Sequence, residues 1–455
     1  MVLLWTDAVI LGLLLLGAGY AWHVKRQPAL RATWRRVFAN PAAMGASVVL
    51  VLAYGVAVLD SLHWRPQLAG PAGQVVYDTR TVSVLDRLLQ GIAEGRETTY
   101  SAPLAYQGFA KDAVEVEGRT ERAYPRLQFG GAHLKDPAAE WAGDVTRRAT
   151  LGTAGGALLA VLAALVLRAW LGRSGLPWRS AAAVFAVLAV AGGAMAALAQ
   201  GYHVFGTDRT GNDVLVQALK SLRTAFVIGS LSTIATLPLA VGLGLAAGYF
   251  RGWVDEAVQY LYTLLSSIPN VLLIAACVLM MQVFFDKNPE LFETAAERSD
   301  LRLFVLCTIL GLTGWAGLCR LLRAETLKLR ELDYVQAAQA FGVGPWRILR
   351  RHIFPNVVHL MLITTVLDFC ALILYEAVLS YVGVGVDPSM NSFGGMINLA
   401  RSEMSRDPVV WWSFAAAFGF MVLLVLAANL FADGVQEAFD PRARTWRPRL
   451  KRQGA

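Results

Sequence analysis

The chain has 455 residues with a formal net charge of +8, and 56% of its residues are hydrophobic. Soluble domains carry about 45–50% apolar residues, so this excess, with a mean hydropathy of +0.48, excludes an ordinary soluble protein. The basic residues cluster beside apolar runs, which is typical of membrane flanks and argues against a nucleic-acid partner. No Gly-Lys pair occurs in the sequence, so a phosphate-binding loop is missing and we do not expect this chain to hydrolyse ATP.

The hydrophobic residues are concentrated in nine runs, each long enough to cross about 30 Å of hydrocarbon. The first run lacks a preceding basic residue and is followed by Lys25 and Arg26, which favours a retained membrane helix over a signal peptide. The sequence therefore predicts an all-α polytopic membrane protein. The predicted spans are 4–22, 42–62, 151–171, 178–199, 224–250, 258–284, 302–323, 358–384 and 409–432.

Lysine and arginine are distributed unevenly among the connecting segments. Loops 23–41, 172–179 and 324–357 and the tail 443–455 are basic, and nine alternating spans place all of them on one side of the membrane. The acidic loop 285–301 falls on the other side. The positive-inside rule therefore predicts an external N-terminus and a cytoplasmic C-terminus.

Segment 63–150 departs from the helical pattern. It holds eleven Lys or Arg and eleven Asp or Glu, with β-prone stretches at 74–77 and 98–106 and a helical piece near 82–93. We expect a small extracytoplasmic α+β or loop-rich domain, because long loops are translocated largely regardless of charge. A partly ordered insertion without a specific task is the alternative.

A short polar helix is predicted between two of the spans, and one of its faces carries aromatic and small residues at helical spacing. Asp333 is the predicted N-cap, and Gly342 supplies the C-terminal stop. Such a face suits docking of another protein, since alanine permits close approach while aromatic rings fill pockets. A surface helix that packs on its own domain is the alternative. The residues of the predicted face are Tyr334, Ala337, Ala338 and Phe341.

This segment resembles the loop by which inner-membrane permeases of ABC importers meet their ATPase subunits. That family shows Glu-Ala-Ala, three further residues, Gly, and then twelve residues before a Pro. Here Gln336, Ala337 and Ala338 precede Gly342 and Pro355 at the same spacing, with Gln in place of Glu. The resemblance implies that this helix docks the ATPases.

Further segments are similar to the C-type permeases of oligopeptide and dipeptide uptake systems. The stretch 203–215 resembles their external motif, with Val204 and Asn212 as departures, and the stretch 376–385 resembles their Glu-Ala-x-Leu-Ser-x-x-Gly-x-Gly. The stretches 392–397 and 429–442 resemble their closing motifs. The residues carried over from the external motif are Gly206, Thr207, Asp208, Gly211 and Asp213.

The resemblance implies one half of a heterodimeric permease in the bacterial inner membrane. The implied partners are a B-type permease, two ATPase subunits that carry ATP and magnesium, an extracytoplasmic substrate-binding protein, and membrane lipid. It implies six core spans, with three extra helices, and import of peptides or peptide-like solutes. The implied organisation is an extra helix with a basic loop (1–41), the first core span (42–62), the insertion (63–150), an extra helix pair (151–200), the permease core (201–442) and a basic tail (443–455).

Asp368 and Glu376 are the clear carboxylates deep within the span 358–384. An ionisable group at that depth is costly, so each is expected to face the bundle interior, a cavity or a partner. They lie eight residues apart and share roughly one helix face. One interpretation puts them on the translocation pathway or the interface with the partner permease. The other is a structural hydrogen bond to a neighbouring helix.

Other functions have weaker support. The six histidines show no metal-ligand spacing, and no nucleophile lies beside a base, so we predict neither a metal site nor an enzyme. A secondary transporter would account for the spans and buried carboxylates, but broken helices in paired positions are not apparent in the sequence. A membrane scaffold or receptor would account for the external domain and not for the ordered motifs.

Overall fold

A computed structural model describes residues 3–69, 75–78, 81–116, 119–172, 175–292 and 294–439. Within these ranges nine helical segments are long and apolar enough to cross a membrane, which confirms the polytopic all-α prediction. The motif end at 440–442 and the tail 443–455 lie outside the described residues. The nine segments are α1 (Trp5–Arg26), α3 (Pro41–Asp60), α6 (Pro137–Leu171), α7 (Trp178–Leu198), α8 (Val214–Phe250), α10 (Asn270–Lys287), α11 with α12 (Ala295–Gly314, Ala316–Arg330), α14 with α15 (Pro345–Ile348, Phe354–Val382) and α17 (Trp412–Phe439).

The remaining helices are short. They connect the spans or lie at the ends of the bundle, and a π-helical turn, Leu349–Ile353, joins α14 to α15. These helices are α2 (Pro28–Ala39), α4 (Val84–Leu88), α5 (Gln90–Ala93), α9 (Gly252–Ser267), α13 (Asp333–Ala340) and α16 (Phe393–Glu403).

The prediction of one continuous span over 258–284 is wrong. Helix α9 ends at Ser267 and α10 begins at Asn270. Pro269 has no N–H to continue the hydrogen bonds of α9, and it precedes the first turn of α10 instead. With 16 residues, α9 is too short to cross the bilayer alone. Pro238, by contrast, lies inside α8, which continues through it.

The segment between α3 and α6 contains three antiparallel two-stranded ladders. The predicted strand near 75–77 is present, but 98–106 contains no strand. Its backbone bonds to the loop before α8 instead: the Leu104 N–H donates to the carbonyl of His203 at 2.9 Å. Helix α6 begins inside the predicted insertion. The pairs are β1 (His63–Trp64) with β4 (Val82–Ser83), β2 (Gln67–Ala69) with β3 (Val75–Tyr77), and β5 (Asp112–Val116) with β6 (Arg119–Ala123).

Helix α8 is the centre of the bundle and contacts α3, α11, α12 and α15. Its contact with α12 is close because two of its residues lack side chains. A Cβ on Gly244 would lie 2.9 Å from the Cys319 carbonyl oxygen, and one on Gly248 would lie 2.6 Å from Cβ of Thr326. Small residues at this spacing allow two helix backbones to approach within a membrane.

The N-terminal helix α1 is joined to α8 and α11 by buried charges. The Arg223 guanidinium of α8 lies 2.7 Å from Asp7 of α1 and 3.4 Å from Asp300 of α11. The Thr6 N–H donates to Asp300 at 3.0 Å. Each of these side chains is at least nine-tenths buried, so the cluster fixes the start of α1 against the starts of α8 and α11.

Candidate coupling segment and outer cleft

Helix α13 has a predicted capping residue at its C-terminal end but not at its N-terminal end. Asp333 is not the N-cap: Leu332 occupies that position and no side chain caps the helix, so this prediction is wrong. The C-terminal stop is present. Gly342 has φ +77°, and its N–H donates to Gln339 while the next N–H, of Val343, donates to Ala338. A left-handed residue with this bond pair closes a helix and turns the chain, which favours glycine.

The inner face of α13 packs on this chain. Val335 is fully buried, and Ala338 is half-buried against a cluster that includes Ile348 and Ile353. Ala338 therefore belongs to the inner face, and the predicted docking face is narrower than the sequence indicates. Gln339 also lies on this side, where its amide donates to the Tyr249 hydroxyl at 3.4 Å.

The outer face of α13 is exposed and carries large apolar side chains. Ala337 is exposed, and Tyr334 and Phe341 are 45% and 87% exposed. Trp346, which the sequence pattern missed because it follows the helix, is 77% exposed in the next helix, α14. Exposed apolar patches of this kind mark sites of interaction with another protein or with a membrane.

The segment is tied to the end of α8. Arg330 donates to the Tyr249 carbonyl at 2.6 Å, and Arg251 forms an ion pair with Glu331. Pro355 lies in the first turn of α15, where a missing N–H costs no helical hydrogen bond. Pro355 is exposed, and its distance along the chain from Gly342 is that of the resembled motif. Direct contacts therefore link the residues immediately before α13 to the end of α8.

The external motif folds into one loop before α8. Asp213 caps that helix by accepting from the N–H groups of Leu215 at 2.8 Å and Val216 at 3.2 Å. Asp208 accepts from Asn212 N–H at 3.0 Å and from the Gln217 amide at 2.6 Å. These carboxylates set the shape of the loop that holds the motif residues.

The insertion is seated on the same loop. Thr207 Oγ1 donates to the Thr99 carbonyl at 2.9 Å and accepts from the Ser101 N–H at 2.6 Å. A Cβ on Gly206, which has φ +68°, would lie 2.3 Å from the Ser101 carbonyl oxygen. Gly211 has φ +78°, and a Cβ on it would lie 1.8 Å from the Glu97 carbonyl oxygen. The two glycines thus permit a backbone contact that no larger residue allows.

A buried charge cluster joins the two parts. His203 Nδ1 lies 2.7 Å from Asp213 and its Nε2 lies 3.5 Å from Glu97. Burial favours the neutral imidazole, but the hydrogen bonds and charges of Asp213 and Glu97 outweigh it and raise the pKa of His203 to about 9. Burial likewise opposes ionisation of Glu97, yet the bonds from His203 and three backbone N–H groups lower its pKa to about 2.

An open cleft of about 820 Å³ lies beside this loop. It is bounded by residues 208–217, by residues 281–282 of α10 and 302–306 of α11, and by the chain from 380 to 403. Arg302 crosses its wall and lies 2.7 Å from Asp387. Tyr100 of the insertion donates to Glu403, a lining residue, at 2.9 Å. The insertion therefore reaches the rim of the cleft.

The two predicted carboxylates of α15 have different surroundings and do not meet. Glu376 is buried, accepts from Ser380 Oγ at 2.7 Å, and accepts from the Gly394 N–H at 3.2 Å in the first turn of α16. Asp368, the middle residue of α15, is half-buried beside a cavity of about 180 Å³ with Tyr375. It makes no hydrogen bond or ion pair with any described residue.

Among the described residues, no group of three His, Cys, Asp or Glu side chains is arranged to hold a metal ion. The four cysteines are free and lie in the helices, as small core residues do.

Comparison with known proteins identifies the family. A family model described as "Binding-protein-dependent transport system inner membrane component" matches residues 240–445. The chain is 30% identical over 245 residues to the oligopeptide transport system permease protein OppC of Mycobacterium tuberculosis, covering 54% of this chain and 78% of that protein. It is 31% identical over 244 residues to the glutathione transport system permease protein GsiD of Pectobacterium atrosepticum, covering 53% and 74%.

One solved structure, titled "Inward facing conformations of the MetNI methionine ABC transporter", is 18% identical, with a TM-score of 0.37. The match covers 50% of this chain and 96% of the chain in the solved structure. The sequence relatives carry the assignment, and they favour the permease prediction over the secondary-transporter and scaffold alternatives. The chain belongs to the binding-protein-dependent permeases of ATP-driven ABC importers, as a multi-pass inner-membrane component of the C-type found in peptide-uptake systems, and it is a transporter subunit and not an enzyme.

Proposed function

We propose that this chain is one half of a heterodimeric peptide importer, beside a B-type permease. Two separate ATPase subunits bind ATP and magnesium, and an extracytoplasmic binding protein delivers the substrate. The relatives named for oligopeptide and glutathione transport support a peptide or peptide-like substrate. The N-terminus and the insertion are external, and the coupling loop, residues 324–357, is cytoplasmic.

One observation carries the proposal: the exposed face of Tyr334, Ala337, Phe341 and Trp346 at one end of the bundle. We assign this face to the ATPases. The small side chain of Ala337 leaves room for a partner backbone, and the rings around it supply buried area on contact. Because the inner face of α13 packs on this chain, movement of a bound ATPase displaces the helix as a unit.

The coupling then follows the helices. ATP binding closes the ATPases and moves α13, and the contacts of Arg330 and Glu331 pass the movement to α8. The bundle switches between inward- and outward-facing states, receives substrate at the outer cleft, and releases it to the cytoplasm. Asp368 lines the route between these ends, which accounts for a carboxylate without a partner among the described residues. Glu376 instead holds α15 to α16.

Expression of this chain with its neighbouring transport subunits tests the proposal. Affinity purification through this chain is expected to recover two ATPase copies and a second permease. Reconstituted vesicles that contain the binding protein are expected to accumulate a peptide only with ATP on the ATPase side. Peptide uptake that follows an ion gradient and ignores ATP would refute the coupling, whereas ATP-driven uptake of a non-peptide would refute the substrate alone.

A further inference from the structure

Helix α2 has the character of a helix that lies at a membrane surface. It occupies the connection between spans α1 and α3 and begins at Pro28. One side is apolar: Trp34 stacks on Phe431 and lies edge-on to Phe439, both of α17. The other side carries exposed arginines. Such a helix lies in the headgroup region, with its apolar side toward the bundle and hydrocarbon.

The basic side of α2 borders a cleft of about 960 Å³. The end of α1, the length of α2, and Leu176 ahead of α7 enclose it. Its wall combines cations with apolar groups, so the cleft offers both a positively charged and an apolar surface. The cationic lining residues are Lys25, Arg31, Arg35 and Arg36, and the apolar ones include Val24, Ala32, Trp34 and Phe38.

Three of the cations that line this cleft have no partner among the described residues. The sequence from 8 to 59 contains no Asp or Glu. Lys25, Arg31 and Arg36 are exposed and make no side-chain hydrogen bond or ion pair with any described residue. Three such cations around one cleft repel each other, and an anion between them removes that repulsion.

The position of the cleft identifies the source of the anion. Helix α1 starts at the Arg223 cluster, beside the starts of α8 and α11, and ends at Arg26, where the cleft begins. The cleft therefore lies at the opposite end of the bundle from the Arg223 cluster. Helices α8 and α12 also end there, and α13 follows α12. At this level a phospholipid presents its phosphate to the cations while its glycerol and chains meet the apolar wall.

We propose that this cleft binds the phosphate headgroup of an anionic phospholipid of the phosphatidylglycerol or cardiolipin class. The phosphate accepts hydrogen bonds from Arg31 and Arg36, with Lys25 as the third cation. The upper acyl region lies along Val24 and Ala32. Bound lipid then fills the space between α2 and the start of α7 and holds the extra helices against the core.

The test is native mass spectrometry of the full-length chain in detergent, titrated with phosphatidylglycerol, cardiolipin or phosphatidylcholine. Wild type is expected to retain the two anionic lipids in preference to phosphatidylcholine. Removing two cations, in Arg31→Gln with Arg36→Gln, is expected to weaken phosphatidylglycerol binding roughly thirtyfold, at about fivefold for each basic residue. Soluble glycerol phosphate is expected not to compete at matched concentration.

The matched control is Arg350→Gln with Arg351→Gln, which removes two exposed arginines from the same end of the bundle. That pair is expected to bind lipid like wild type. Equal weakening by both pairs would mean that only net charge matters, and it would overturn the site. Competition by glycerol phosphate, or unchanged binding in the Arg31→Gln, Arg36→Gln variant, would also overturn it. Arg31→Lys with Arg36→Lys keeps the charge and separates loss of the site from misfolding: it is expected to retain most of the binding.

Discussion

The Arg223 guanidinium lies 2.7 Å from the Asp7 carboxylate, and both groups are almost completely buried. This contact joins an extra helix to the central helix of a permease core. A buried charge whose partner is removed costs far more than a surface pair contributes. The extra helix α1 is therefore an integral part of the bundle and not an appended anchor.

Asp7→Ala is expected to lower the free energy of unfolding by about 3–5 kcal/mol, because Arg223 is left with Asp300 as its remaining close carboxylate. Thermal unfolding of the detergent-solubilised protein measures the change. The control is Asp286→Ala, whose side chain is 60% exposed beside Arg298 and Arg302 and whose removal is expected to cost less than about 1 kcal/mol. Equal effects of the two substitutions would contradict the buried linkage.

The His203 cluster predicts a pH dependence. Because the folded pKa of His203 is raised from 6.5 to about 9, the folded protein binds a proton that the unfolded chain has lost. Stability from this group is complete below pH 6.5 and is lost as the pH rises toward 9. Thermal unfolding across that range is expected to show a fall in wild type and a shallower one in His203→Gln. A flat wild-type profile would argue against the protonated cluster.

Orientation is tested by labelling in intact cells. A cysteine at Ala132, in a version without the four native cysteines, is expected to react with an impermeant thiol reagent from outside. One at Gln336, an exposed residue of α13, is expected to react only after the membrane is opened. Reaction of Gln336→Cys from outside would invert the proposed topology.

Substitutions of the two carboxylates of α15 are expected to have different effects. Glu376→Gln weakens the contacts with Ser380 and the Gly394 N–H, so it is expected to lower thermal stability. Asp368→Asn leaves no described partner unpaired, so it is expected to keep stability and to reduce uptake per molecule of protein. Uptake at the wild-type rate in Asp368→Asn would remove this residue from the proposed route.

The sequence predicted those features that depend on local composition. Hydropathy was sufficient for the number of spans, although not for the bounds of the one predicted at 258–284. The left-handed end of α13 at Gly342 was predictable because glycine tolerates that conformation freely. The face of Tyr334, Ala337 and Phe341 followed from helical periodicity. Ala338 was assigned to the wrong face because an alanine fits either a core or a docking surface.

Features that depend on distant pairing were not predictable. Nothing near Glu97 in the sequence indicates that its carboxylate meets His203, or that its carbonyl requires a glycine at 211. The sequence predicted one span across Pro269, because a proline ends or bends a helix according to its neighbours. The extended stretch 98–106 has strand-forming residues, but its hydrogen bonds go to a loop and not to another strand.

The role of α13 as the ATPase-docking helix is tested most directly by Ala337→Glu. Its side chain is exposed in this chain, so folding and membrane insertion are expected to be unaffected. A carboxylate buried without a partner at an interface costs about 2–5 kcal/mol, which is at least tenfold in affinity. The control is Gln336→Glu, which adds the same charge one residue away and restores the acid of the resembled motif.

The measurement is ATPase co-purification at equal membrane levels of the permease, together with ATP-driven uptake. The expected result is loss of both for Ala337→Glu and retention of both for Gln336→Glu. Wild-type ATPase recovery and uptake for Ala337→Glu would contradict the assignment of this face, and the exposed aromatic residues around it would then need another partner.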